Sequence, residues 1–87
     1  MSARYQILVT PKAQKEIDDL DSKLRSQVMA KLEALGSNPR PSGCLKLAGQ
    51  ESLWRVRVRE YRILYQIQDT KLFVLVVRVD HRSEVYR

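Results

Sequence analysis

The stretch from Trp54 to Ile67 constrains this chain most. Trp54, Val56 and Val58 alternate with Arg55, Arg57 and Arg59, and Ile63, Tyr65 and Ile67 alternate with Arg62, Leu64 and Gln66. A period of two belongs to strands with one buried face. With a tight turn at Glu60-Tyr61, the pattern predicts a hairpin in which Val58 pairs with Ile63, Val56 with Tyr65 and Trp54 with Ile67. That register gathers the apolar side chains on one face and Arg55, Arg57, Arg59 and Arg62 on the other. A slip of one residue would mix the faces, so the pattern itself selects the register.

An apolar strand face needs a cover, and the first half of the chain supplies one. Tyr5 to Val9 is a short β-favouring run with Tyr5, Ile7 and Val9 on one face. It ends at Thr10-Pro11, an N-cap followed by proline at the first helical position. Ala13, Ile17 and Leu20 then recur at helical spacing, which predicts an amphipathic helix over 11–20. Asp21-Ser22 is a second cap signal, and Leu24, Val28, Leu32 and Leu35 repeat the spacing up to Gly36, which fits a helix terminator. The two helices are near enough in sequence to form a hairpin. Residues 36–44 are a loop by composition, and Leu45-Lys46-Leu47 is a candidate for a brief strand. After a turn at Asp69-Thr70-Lys71, the run Leu72–Val77 is apolar on both faces and reads as a strand covered on both sides. The tail from Asp80 onward is polar. The expected fold is α+β, in the order β-α-α-β-β-β, with a two-helix hairpin packed on one face of a small, largely antiparallel sheet.

Composition narrows the function. The 87 residues are short for more than one domain, so 1–87 is read as a single unit. No apolar run approaches the ~20 residues of a membrane span, and the first residues lack a signal peptide's apolar core. One cysteine, Cys44, excludes an internal disulfide and suits a reducing cytoplasm, which is the expected location. One histidine, His81, excludes sites that need two, and with one cysteine it excludes a standard zinc knuckle. No membrane partner and no cofactor are expected. The net charge of +6 is uneven: of the nine basic residues after Gly43, eight lie from Arg55 onward, and seven of these are arginine. Arginine's planar, permanently charged fork suits phosphate.

Arginines alternating along a strand also have a structural use, since exposed charges discourage edge pairing. Here the polar positions share one sign, and like charges placed opposite each other weaken a sheet by ~0.2–1 kcal/mol per pair. A phosphate backbone lying on that face would make use of them. In RNA cleavage the 2′-OH attacks the adjacent phosphorus, and fixed cations aimed at the equatorial oxygens stabilise the charge that builds there. The sequence holds no Asp-x-Asp pair, acidic triad or histidine cluster to suggest a metal, so a metal-free route is expected. Arginine stays protonated and is no ordinary base. Proton transfer by a side chain would fall to His81, Tyr86 or Tyr61, and Tyr86 also suits base stacking. Ser83 near His81 is no catalytic triad on adjacency alone, and Cys44 with His81 is set aside as a thiol–imidazole pair. No glycine-rich phosphate loop is present. Trp54 and Phe73 are assigned to packing.

The helix hairpin, the segment Leu-Trp-Arg-Val-Arg at 53–57, Glu-Tyr-Arg-Ile-Leu-Tyr-Gln-Ile at 60–67 and the ending His-Arg-x-x-Val-Tyr at 81–86 resemble the RelE-like toxins of bacterial toxin–antitoxin modules. The resemblance covers nearly the whole chain. It implies an endoribonuclease that cuts messenger RNA in the A site of the 30S ribosomal subunit, and an antitoxin that wraps and silences it. Carried over by position, Arg55, Arg57, Arg62, Arg82 and Tyr86 become the residues that contact the scissile phosphate, activate the 2′-OH and stack on the base. His81 joins them because some relatives use a C-terminal histidine. Arg59, Arg78 and Arg87 are the expected further RNA contacts. Well-known members carry lysine where this chain has Arg55 and Arg57, and charge stabilisation survives that exchange better than a base role does. Two other readings stand beside this one: a ParE-like toxin that inhibits DNA gyrase without nuclease activity, and a passive RNA-binding module.

Overall fold

In the computed structural model, residues 4–47 and 52–81 are described. Strand β1 (Gln6–Val9) leads into helix α1 (Pro11–Asp18) and helix α2 (Ser22–Ser37). Four strands follow: β2 (Leu45–Lys46), β3 (Trp54–Val58), β4 (Tyr61–Gln68) and β5 (Phe73–His81). They form one sheet in the order β1-β5-β4-β3-β2, with β1 parallel to β5 and every other pair antiparallel. The fold is α+β as expected, with Leu45-Lys46 confirmed as a short edge strand.

Both helices start where their caps say they should. The Thr10 hydroxyl accepts from Ala13 N at 3.2 Å, with Pro11 in the first turn, and Asp21 Oδ1 accepts from Leu24 N at 2.9 Å. Each bond satisfies a donor that the helix itself cannot. Gly36 does not end α2. It lies inside the helix, buried, and the cap is Asn38. Its carbonyl accepts from Tyr5 N at 2.8 Å, and a Cβ at this position would stand 3.1 Å from Tyr5 O. The glycine therefore lets the chain entering β1 lie against the helix, a tertiary reason that resembles a terminator in sequence.

Ala13, Ile17 and Leu20 from α1 and Val28, Leu32 and Leu35 from α2 pack with Val56, Val58, Ile63, Tyr65, Val74, Val76 and Val79 in one core. Tyr65 lies at its centre, fully buried, and its hydroxyl donates to Pro39 O at 2.8 Å. That bond gives the loop after α2 a fixed seat on the sheet. Burial also pushes the Tyr65 hydroxyl well above the ordinary tyrosine pKa. Among the described residues no helix is long and apolar enough to cross a membrane.

The hairpin corrects one expectation. Its turn is Arg59-Glu60 rather than Glu60-Tyr61, so Val58 pairs with Tyr61, Val56 with Ile63 and Trp54 with Tyr65. The shift is two residues, which preserves the face of every residue that stays in the two strands and changes every partner. The loop tightens because Arg59 adopts φ 57°, a conformation usually marked in sequence by glycine or asparagine. Arg59 consequently leaves the strand face. Its guanidinium reaches Gln27 Oε1 on α2 at 3.4 Å.

Strand β5 corrects a second. It runs on through Asp80 and His81, which the sequence assigns to a polar tail. A register shift opposite Leu64 and Tyr65 leaves Val77 as an extra residue, so Val74 and Val76 share the core face with Val79. Such a bulge reverses the alternation beyond it.

Candidate nucleic-acid interface

The face of the sheet opposite the helices carries the arginines in two rows. In antiparallel ladders, directly opposed residues project to the same side. Arg57 opposes Arg62, and Arg62 opposes Asp80, so these three form a row across β3, β4 and β5. The next row is Arg55, Leu64 and Arg78. The core side chains of both helices pack on the other side.

The positions differ in exposure. Arg57 is exposed, Arg55 half-buried and Arg62 only 3% exposed. Arg55 Nε is buried and has no hydrogen-bond partner among the described residues. A buried donor left in that condition is uncommon in folded proteins, and an anion would satisfy it. Arg55, Arg57 and Arg62 are thus brought together as the sequence predicts.

Arg78 is held by protein carboxylates. Its Nε donates to Glu16 Oε2 of α1 at 2.9 Å, and its terminal nitrogen pairs with Asp80 Oδ2 at 3.0 Å. Glu16 Oε1 also accepts from Val79 N at 2.7 Å, closing the part of the β5 edge beyond β1. Arg78 therefore braces the face from one side. Sequence reasoning missed both Glu16 and Asp80. A helical glutamate at 16 gave no signal of a partner 62 residues away, and the bulge concealed Asp80.

His81 lies elsewhere. It opposes Tyr61 in the β4–β5 ladder, one residue out of phase with the Arg62–Asp80 pair, and so points to the helix-bearing side. The two rings meet edge to face, with centroids 5.3 Å apart. They line a cleft of about 320 Å³ with Asp21, Lys23, Leu24, Arg59 and Glu60. Arg82, Tyr86 and Arg87, which the sequence adds to the site, lie outside the described residues. Among the described residues no group of three or more His, Cys, Asp or Glu side chains is arranged to hold a metal.

A separate cluster centres on Arg40. Arg40, on the loop after α2, pairs with Asp69 at 2.9 Å and lies over the Trp54 ring at 5.2 Å, while the Tyr5 hydroxyl donates to Asp69 Oδ1 at 2.6 Å. The hydrogen bonds from Arg40 and then Tyr5 hold the Asp69 carboxyl down at about 2. These contacts tie the chain entering β1, the loop and the β4–β5 turn into a clamp.

Comparison with known proteins places these features in company. A family model described as "ParE toxin of type II toxin-antitoxin system, parDE" matches residues 7–86. The chain is 37% identical over 79 residues to the mRNA interferase toxin RelE of Escherichia coli strain K12, covering 86% of this chain and 82% of that one. Among solved structures it is similar to a chain of the RelBE2 toxin–antitoxin complex of Mycobacterium tuberculosis, with TM-score 0.82 and 26% identity over 95% of this chain and 97% of that one. It is also similar to a chain of the intact E. coli RelBE complex, with TM-score 0.78 and 32% identity over 88% and 95% of the two chains.

Proposed function

The chain belongs to the RelE/ParE toxins of type II toxin–antitoxin systems, and from that premise we propose that it is an mRNA interferase that cuts messenger RNA in the ribosomal A site. The observation that carries this reading is the arginine face: Arg55, Arg57 and Arg62 share one side of the sheet, and Arg55 Nε is a buried donor without a partner among the described residues. The 2′-OH of the message attacks the adjacent phosphorus. Charge grows on the equatorial oxygens, and the three guanidinium groups stabilise it without a metal. Arg82 and Tyr86 complete the set, the first as a further phosphate contact and the second as a stacking ring for the base. His81 points to the helix-bearing side and is not assigned a proton in this scheme. The cytoplasmic ribosome and its message are the substrate, and a cognate antitoxin silences the protein by covering the face.

The test adds purified protein to programmed ribosomes and to naked RNA and maps cuts by primer extension. Cuts in A-site codons are expected on ribosomes. Arg62→Ala should lower the rate by ~10²–10³-fold, the usual cost of losing one fixed donor to a developing oxyanion.

The family description itself favours a second reading, because it names ParE. A ParE-like toxin would inhibit gyrase supercoiling and cut no message. Intact mRNA together with inhibited gyrase would replace the first reading with this one.

A further inference from the structure

The side of the sheet that carries the arginines changes character along its strands. Val74 and Val76 point into the core, so Phe73 and Leu75, which alternate with them, point to the opposite side. The sequence assigns Phe73 to packing, whereas in the fold it lies off the core. On β4, Gln66 opposes Leu75 and Gln68 opposes Phe73, and on β1, Leu8 and Gln6 stand beside the same two residues. These six side chains share one side of the sheet, and none is charged. Leu8 is 36% exposed, Phe73 and Leu75 are half-buried, and Gln6 and Gln68 are exposed. One row, Arg55, Leu64 and Arg78, joins this neutral patch to the row of Arg57 and Arg62.

We propose that this patch is a base-binding subsite, in which the Phe73 ring stacks on a nucleobase of the message beside the cut and Leu8 and Leu75 flank it. A nucleobase has two flat apolar faces and an uncharged rim of donors and acceptors. An aromatic ring set among aliphatic side chains and amides matches both. Aromatic side chains on a sheet face are a recurring platform for single-stranded RNA. The patch is continuous with the arginine rows, so a strand whose phosphates lie on Arg55, Arg57 and Arg62 carries a base across it. An acidic protein segment would find no cation among these six residues. Gln66 lies four residues along β4 from Arg62, ~14 Å away. The base therefore belongs to a neighbouring nucleotide, and the scissile one is left to Tyr86. The subsite rests on the reading of this face as the RNA-cleaving site, and it gives that site a means of discriminating bases.

The experiment has two arms on the full-length protein. In the first, programmed ribosomes carry synthetic messages with a single abasic nucleotide at each position beside the cut, and cleavage is measured for wild type and Phe73→Leu, which keeps an apolar side chain but removes the ring. At one position the abasic message should cost wild type about tenfold in cleavage efficiency, the usual scale for a lost stacking contact. Phe73→Leu should lose about as much on the intact message and almost nothing more on the abasic one. Equal abasic penalties in the two proteins overturn the proposal. If Phe73→Leu does not fold, Leu8→Gln decides it by the same criterion, with a two- to fivefold effect. Met29→Ala, on the exposed side of α2, should change nothing. A Phe73→Leu protein that loses antitoxin affinity while keeping wild-type abasic penalties would give the patch to the antitoxin and overturn the subsite. In the second arm, NMR contacts from the Phe73 ring to Tyr86 in the free protein, or Phe73 shifts that change on dilution, would give the patch to the chain's own ending or to a second copy, and either overturns it. A wild-type protein that cuts no message refutes the reading of the site. The subsite is then decided by NMR with a 2′-O-methyl RNA hexanucleotide: base protons should contact the Phe73 ring and the Leu75 methyls, and no such contact overturns it.

Discussion

The two faces of the β3–β4 hairpin share one backbone, and their side chains alternate along it. Val56 on the helix face and Arg62 on the other are equally inaccessible, at 3% exposure each. Burial therefore does not separate core from site in this protein. Val56 is held by apolar neighbours that need nothing further. Arg62 has a like charge on one side, Arg57, and a carboxylate on the other, Asp80. One face is stable because it is chemically uniform. The other depends on a particular arrangement of opposite charges, and that arrangement is what a phosphate could use.

The comparison can be broken most forcefully at Tyr65, at the centre of the helix face. Tyr65→Ala should cost ~3–5 kcal/mol in urea unfolding, through the cavity left behind and the lost bond to Pro39. Any loss of cleavage in that variant should track its unfolded fraction. A variant that stays fully folded yet loses activity would show that the two faces are not separable.

Arg57 offers the converse. It is exposed and opposes a like charge, so Arg57→Ala should leave unfolding stability within ~1 kcal/mol of wild type, with any change in the direction of a gain. Cleavage should nevertheless fall at least tenfold. A variant destabilised by several kcal/mol would mean that the arginine row holds the sheet together, and the functional distinction between the faces would be lost.

The smallest effect is expected at the clamp, where an arginine–carboxylate pair is exposed. The folded state lowers the Asp69 carboxyl from its ordinary 3.8 to about 2, because Arg40 and Tyr5 donate hydrogen bonds to the charged form. A group depressed in this way contributes stability that is fully present above about pH 4 and is lost as pH falls towards 2. The melting temperature of Asp69→Asn should thus lie slightly below that of wild type at pH 6, and the gap should close towards pH 2. Solvent screening keeps the difference small. A gap that persists at pH 2 would place the contribution outside the carboxylate's charge. Asp69→Asn should leave cleavage at the arginine face unchanged.

Much of this was legible in the chain. Thr10-Pro11 and Asp21 announced both helices because capping is a local transaction between a side chain and a backbone donor three residues on. The alternation at 54–67 assigned Val56, Ile63 and Tyr65 to the core and Arg55, Arg57 and Arg62 to the other face. What failed was whatever depended on a turn or a bulge. The Arg59-Glu60 turn has no glycine or asparagine to mark it, so the pairing was displaced by two residues and Arg59 was left on the strand face. Gly36 looked like a terminator, although its small size serves a contact with Tyr5. Asp80 was lost to the tail because the extra residue at Val77 breaks the period of two.

The sequence by itself determined which way the residues of β3 and β4 point, since in an unbulged strand that depends only on a residue's position in its own strand. It also determined that helices would cover the apolar side and leave the arginines to the other. Only the tertiary structure decided what stands beside each arginine. Neighbours across strands depend on turn length, on the bulge in β5 and on where α1 brings Glu16, and none of these is written in the residues around Arg62. The charge pattern was local. The company of Arg57, Asp80, Arg78 and Glu16 was made by folding.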